Sequence, residues 1–174
     1  MDKNITTLKD TYGSAYENYK KGDLKTAEML CYKILSIDPK FIQSKLLLAN
    51  ISAKNKDFIK TKKFLNEAIN IQPKNVSALN NLGTACRELG EMKDAVGYYK
   101  KVIEIEPNNT NAYYNLGLLY KVMGKFEKTI DSYQMAAKYK PENLIIYYEL
   151  SNLQKEILNT NLKKKINKII KDKK

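Results

Sequence analysis

Apolar side chains recur along this chain with two nested periods. Leu79, Leu82, Gly83 and Cys86 keep the i, i+3, i+4, i+7 spacing of one helical face, and 34 residues later Tyr113, Leu116, Gly117 and Tyr120 repeat it. A second stripe opens on Leu24, Phe58, Met92 and Phe126 and returns seven residues on, at Cys31, Leu65, Tyr99 and Tyr133. The pattern predicts two amphipathic helices in each 34-residue unit and no strands.

The residues between the stripes agree. Pro39, Pro73, Pro107 and Pro141 keep the same 34-residue interval, and because proline cannot continue a helix each marks a helix end. Two positions beyond, Asn75, Asn109 and Asn143 can cap the next helix, whereas the first repeat has Phe41 there and predicts a weaker start. Halfway along, Gly22, Gly90 and Gly124 suit the left-handed residue that closes a helix, with Lys56 in the second repeat. Asp23 and Asp57 stand where a second helix takes its cap.

The expected organisation is four helix–turn–helix repeats over about 8–41, 42–75, 76–109 and 110–143. A capping helix follows over about 144–158, closing a domain of residues 1–158. Its predicted stripe is Tyr147, Leu150, Leu153 and Ile157, with Ser151 in the glycine column. Residues 159–174 read as a basic amphipathic tail, with Leu162, Ile166, Ile169 and Ile170 set among lysines.

This register resembles the tetratricopeptide repeat family, a 34-residue helix pair with an aromatic, Leu-Gly, Tyr, then Ala-x3-aromatic and a closing Pro. Leu82-Gly83, Leu116-Gly117, Ala95 before Tyr99 and Thr129 before Tyr133 carry the likeness. The first two units depart from it, with Ala15 and Ala49 for the glycine and Thr11 and Lys45 for the first aromatic. The resemblance implies an all-α, right-handed α-solenoid whose first helices line a concave groove where partner segments bind.

At about 100 degrees per residue, the face opposite the first-helix stripes carries Tyr12, Tyr16, Leu46, Leu47, Asn50, Ser77, Asn80, Asn81, Asn111, Tyr114, Asn115 and Leu118. Tyr148 follows on the capping helix. Asn81 and Asn115 share a column, flanked by Asn50 and Asn111. An amide patch of this kind can grip a peptide main chain without reading its sequence, or it can be plain solvated asparagine. The tyrosines and leucines are apolar where water is expected, which marks a binding patch unless they pack on one another. Some members of the family clamp acidic chaperone tails with two lysines, two asparagines and an arginine. Here Asn50 and Asn81 match that pattern, but Leu46, Asn111 and Asn115 stand at the cation positions, so the resemblance implies no such clamp.

The formal net charge is +12. Lys20, Lys54, Arg87, Lys121 and Lys155 form a candidate basic rim that would speed encounter with an acidic partner, or they are ordinary helix-end cations. A pI near 9.5 raises nucleic acid as a partner, yet only Arg87 among the 31 basic residues is an arginine, which argues against base recognition. The tail allows a solvated end helix, contact with an anionic membrane surface, or docking into a groove of its own or a neighbouring chain.

With no histidine, no glycine-rich phosphate loop and no spaced cysteine cluster, neither catalysis nor a cofactor nor a metal is expected. Cys31 and Cys86 lie in apolar stripes and are expected to be buried free thiols. Residues 1–10 are charged and carry no apolar run fit for a signal peptide or a membrane span, so the expected location is the cytoplasm. The functional expectation is a scaffold that binds an extended or helical protein segment. Its rival is self-assembly into an oligomer or coat.

Overall fold

The computed structural model describes the backbone of residues 2–171 and the side chains of residues 7–157. Among the described residues there are nine helices and no strand. These are α1 (Asp2–Lys21), α2 (Leu24–Ile37), α3 (Ile42–Lys54), α4 (Phe58–Ile71), α5 (Val76–Glu88), α6 (Met92–Ile105), α7 (Thr110–Val122), α8 (Phe126–Tyr139) and α9 (Leu144–Lys171). The chain forms two compact units, the first holding α1–α6 and the second α7–α9. In the first, each helix packs on the next in sequence and α1 also touches α3; in the second, α7 packs on α8 and α8 on α9. This is the helix-pair stacking of an all-α solenoid.

The local signals act as chemistry requires. Asp23 and Asp57 accept the backbone N–H of Thr26 and Lys60, each at 3.0 Å, while Asn75 and Asn109 accept those of Ala78 and Ala112 at 2.9 Å. Phe41 offers no such bond, and its ring instead lies 5.8 Å from that of Tyr12. Gly22, Gly90 and Gly124 have φ of 87°, 78° and 67°, and Lys56 takes the same left-handed conformation at 58°. A side chain there costs about 1–2 kcal/mol, so the second repeat closes its helix less favourably than the others.

In the core, Cys31, Leu65, Tyr99 and Tyr133 are all fully buried, as their shared column predicts. Gly83 and Gly117 are small because aromatic rings lie against their backbones. A Cβ on Gly83 would come within 2.7 Å of the Tyr99 ring, and one on Gly117 would clash with that of Tyr133. Lys45, which stands where the aromatic is usual, is 9% exposed, with its Nζ 2.5 Å from Glu67 Oε2. A buried cation is tolerated there only because the carboxylate reaches it.

The last helix corrects one expectation. Ile146 and Leu153 are fully buried, but Tyr147 is 46% exposed and Ser151 is also exposed. In α7 the equivalent Tyr113 is stacked on Tyr139 of the following helix, at 5.9 Å between ring centroids. No second helix follows α9 among the described residues, so only its side facing α7 and α8 is covered. The backbone stays helical to Lys171 and does not break at Asn159-Thr160-Asn161; the stripe of Leu162, Ile166, Ile169 and Ile170 lies outside the described side chains. No described helix is long and apolar enough to cross a membrane.

Candidate functional site

In the first unit α1 carries a row of tyrosines. The rings of Tyr12 and Tyr16 stack at 6.3 Å and those of Tyr16 and Tyr19 at 6.2 Å. Tyr16 is 44% exposed, whereas Tyr12 and Tyr19 are half-buried. Burial, with Cys31 and Tyr16 nearby, raises the Tyr12 phenol above its usual range. Lysines sit over the row, Lys20 Nζ at 5.4 Å from the Tyr16 ring centroid and Lys54 Nζ at 4.0 Å from that of Tyr19. The row therefore packs on itself and still shows a face to water.

Tyr19 leads into a partly open cavity of about 330 Å³. It is lined by Ala49, Asn50, Ala53 and Lys54 of α3, by Phe58, Thr61 and Leu65 of α4, and by Asn81, Thr84 and Ala85 of α5. Two asparagines expected on the partner face, Asn50 and Asn81, thus meet around one apolar hollow. Its origin is visible one repeat on. Tyr99 of α6 lies against Gly83, and its hydroxyl is 3.1 Å from that of Thr84. Leu65 and Ala49 hold the equivalent places in the second repeat, where no ring fills the space and Asn50 stands in the column of Thr84.

The other expected residues of this unit divide. Ser77 and Asn81 are exposed, and Leu46, Asn50 and Asn80 are half-buried. Leu47 is 2% exposed and is corrected from surface to core. It belongs to the apolar cluster on which Tyr12 and Tyr19 pack, so the α1 tyrosines that were expected beside it are part of what covers it. Tyr19 and Ala53 were not foreseen, because they fall in the column of the basic rim. The signal was present in an aromatic at 19 followed 34 residues later by the smallest side chain that still favours a helix.

In the second unit Asn111 and Tyr148 are exposed, whereas Tyr114, Asn115 and Leu118 are half-buried. The Tyr114 ring tilts against that of Tyr133 at 5.8 Å. Asn81 and Asn115 belong to different units.

Three of the rim cations are engaged. Lys20 pairs with Glu17 at 2.5 Å, Arg87 with Glu88 at 2.8 Å and Lys121 with Glu149 at 2.9 Å. The last of these ties α7 to α9. Lys54 and Lys155 form no ion pair among the described residues, and both are exposed. Glu91 pairs with Lys62, and this, with the Cys86 thiol beside it, holds its carboxyl below the usual range. Burial pushes Cys86 up to about 12 and Cys31 to about 11. Such thiols carry almost no thiolate near neutrality and are poor nucleophiles. No group of three or more His, Cys, Asp and Glu among the described residues is placed to hold a metal ion.

A TPR repeat model matches residues 83–124, a tetratricopeptide repeat model matches 110–143, and a model of anaphase-promoting complex, cyclosome, subunit 3 matches 20–102. Among solved structures, a crystal structure of MamA protein is 24% identical over 91% of this chain and 88% of that one, with a TM-score of 0.76. YrrB, described as a TPR protein with an unusual peptide-binding site, is 17% identical over 86% and 77%, with a TM-score of 0.71. At these identities the likeness speaks for the fold alone. A curated relative, the UDP-N-acetylglucosamine–peptide N-acetylglucosaminyltransferase of Caenorhabditis elegans, is 29% identical over 89 residues, 51% of this chain and only 8% of that one. The repeat register, the capped helix pairs, the rings laid against Gly83 and Gly117 and these matches together make the chain a member of the tetratricopeptide repeat family.

Proposed function

We propose that this protein is an interaction scaffold that holds a segment of a partner protein on the face formed by its first-type helices. The observation that carries this reading is the Tyr12–Tyr16–Tyr19 row, whose last ring, Tyr19, lines one open cavity of the first unit together with Asn50 and Asn81. Aromatic rings offer contact area at low entropic cost, and amides satisfy a main chain without demanding a sequence. The unpaired Lys54 and the net charge of +12 favour an acidic segment. The description of YrrB as a peptide-binding TPR protein is in keeping with this. The chain acts by binding rather than catalysis, in the cytoplasm, with Asn115, Tyr114 and Leu118 of the second unit as further contact residues.

Capture from an extract of the native cell tests the reading. A partner held by the full chain should be lost on changing Tyr12 and Tyr16, or Asn81 and Asn115, to alanine. If no partner is held, or if both pairs of changes leave capture intact, the reading falls.

A second reading is self-association through α9, supported by four apolar side chains left in water at its start. Leu144, Ile145, Tyr147 and Tyr148 are 78%, 59%, 46% and 65% exposed. Sedimentation over a concentration series should then show oligomers that Ile145→Glu/Tyr148→Glu disperses, whereas a monomer at every concentration removes this reading.

A further inference from the structure

The cavity of the first unit is a defect in one repeat relative to the next, and a defect of defined shape can serve as a socket. In the third repeat the space between the first and second helices is closed from within, because Tyr99 lies against Gly83 and meets the Thr84 hydroxyl at 3.1 Å. In the second repeat Leu65 is shorter than a tyrosine and Ala49 adds a methyl where the glycine would be, so the helices keep their register but the plug is missing. What remains is about 330 Å³, with apolar walls from Ala53, Phe58, Leu65 and Ala85. Cavities of about 150 Å³ already take a benzene ring, and ligand sites begin near 300 Å³, so this one suits a single side chain rather than a large ligand.

The mouth is polar and asymmetric. Asn50 and Asn81 line it, and so does Lys54, whose ammonium is held over Tyr19 at 4.0 Å and has no carboxylate partner among the described residues. Its repeat is the basic part of the first unit, with seven lysines against two carboxylates over residues 42–75. A cation fixed by a ring beside an apolar hollow is a place for an apolar group with a carboxylate attached or adjacent.

We infer that the cavity is an anchor socket: it takes one apolar side chain of the partner segment, with an acidic group beside it on Lys54 and the segment's main chain on Asn50 and Asn81. This rests on the scaffold reading and assigns its specificity. The sequence rule for the partner is then an aliphatic or aromatic residue next to an aspartate, glutamate or terminal carboxylate. The socket exists because Leu65 and Ala49 stand where the third repeat has Tyr99 and Gly83, so installing tyrosine and glycine at those two positions should close it without harming the fold.

The test uses the full chain, labelled with nitrogen-15, and isovalerate as probe, since it joins a branched apolar tail to a carboxylate. Saturable shifts in the millimolar range are expected at the Asn50 and Asn81 side-chain amides and at Thr84. Lys54→Met should weaken isovalerate about tenfold while leaving isoamyl alcohol unchanged. Ala49→Gly/Leu65→Tyr should abolish binding of both, and if that pair misfolds, Ala53→Leu closes the mouth independently. Shifts spread over surface lysines, or affinity retained in a folded, plugged variant, would overturn the socket. A displayed heptapeptide library should enrich an apolar–acidic pair that isovalerate displaces; enrichment without that pair also overturns it. A cellular partner still captured by the plugged variant sinks the socket but spares the scaffold, whereas no partner for the native chain sinks the scaffold reading itself.

Discussion

The second and third repeats share one backbone plan and differ in how they fill its centre. The third is closed by Tyr99 against Gly83; the second has Leu65 against Ala49 and stays open. The same pair of repeats differs at the first aromatic column, where Leu79 is apolar and Lys45 brings a charge that Glu67 must meet. The second repeat is thus the less conventional core and the more promising surface. In a repeat array each unit leans on its neighbours, so one unit can lose its plug while the units on either side maintain the helix positions.

Breaking the comparison from the closed side should have the largest effect. Tyr99→Ala removes a fully buried ring and should cost about 3–5 kcal/mol in chemical denaturation, while opening a second cavity beside Thr84. Next in size is Gly83→Ala, whose methyl would sit 2.7 Å from the ring, for a loss of about 1–3 kcal/mol. Adding Tyr99→Leu should recover part of that loss, because the double change copies the packing of the second repeat. Additive losses in the double variant would show that the two positions are not coupled as described.

Smaller effects sharpen the same contrast. Asn75→Ala removes the bond to the Ala78 N–H and should lower stability by about 1 kcal/mol, whereas Phe41→Ala removes no cap bond and loses apolar contact such as that with Tyr12. Lys45→Leu should be neutral or slightly stabilising in a thermal melt, since an apolar side chain replaces a pair whose desolvation offsets its attraction and Glu67 keeps access to water.

The smallest effect is set by pH. With the thiols raised from 9.0 to about 11 at Cys31 and about 12 at Cys86, the folded chain holds protons that the unfolded chain releases. Their contribution to stability is complete below about pH 9 and is lost as pH rises toward about 11 for Cys31 and about 12 for Cys86. The difference in denaturation midpoint between the native chain and Cys31→Ala/Cys86→Ala should therefore narrow over that window. Rapid reaction of either thiol with a disulfide reagent at pH 8 in the folded state would contradict their burial.

Much of the fold was legible because its signals are local. A cap, a left-handed turn or a proline acts within a few residues, so Asp23, Asp57, Asn75, Asn109 and Gly90 could be assigned from spacing and are found in those roles. Leu47 was misjudged because Leu46, Leu47 and Leu48 are adjacent and together span more than half of the helix circumference, so periodicity cannot choose a face. Packing of α1 on α3 chose it. The Glu91–Lys62 pair was not legible for a related reason: Lys62 lies on α4, 29 residues away, and no spacing rule brings the two together.

The sequence by itself determined the repeat length, the number and order of helices through α8, the columns that form the core and the family, because those follow from short-range geometry repeated at a fixed interval. The tertiary structure decided where that regular plan leaves space or charge uncovered: the hollow beside Asn50 and Asn81, the row of rings leading to it, the pairing of most of the basic rim, and the bare apolar start of α9. These depend on how far a side chain reaches toward a neighbour on another helix. Leu65 and Tyr99 occupy the same column, but only the tyrosine is long enough to close the gap.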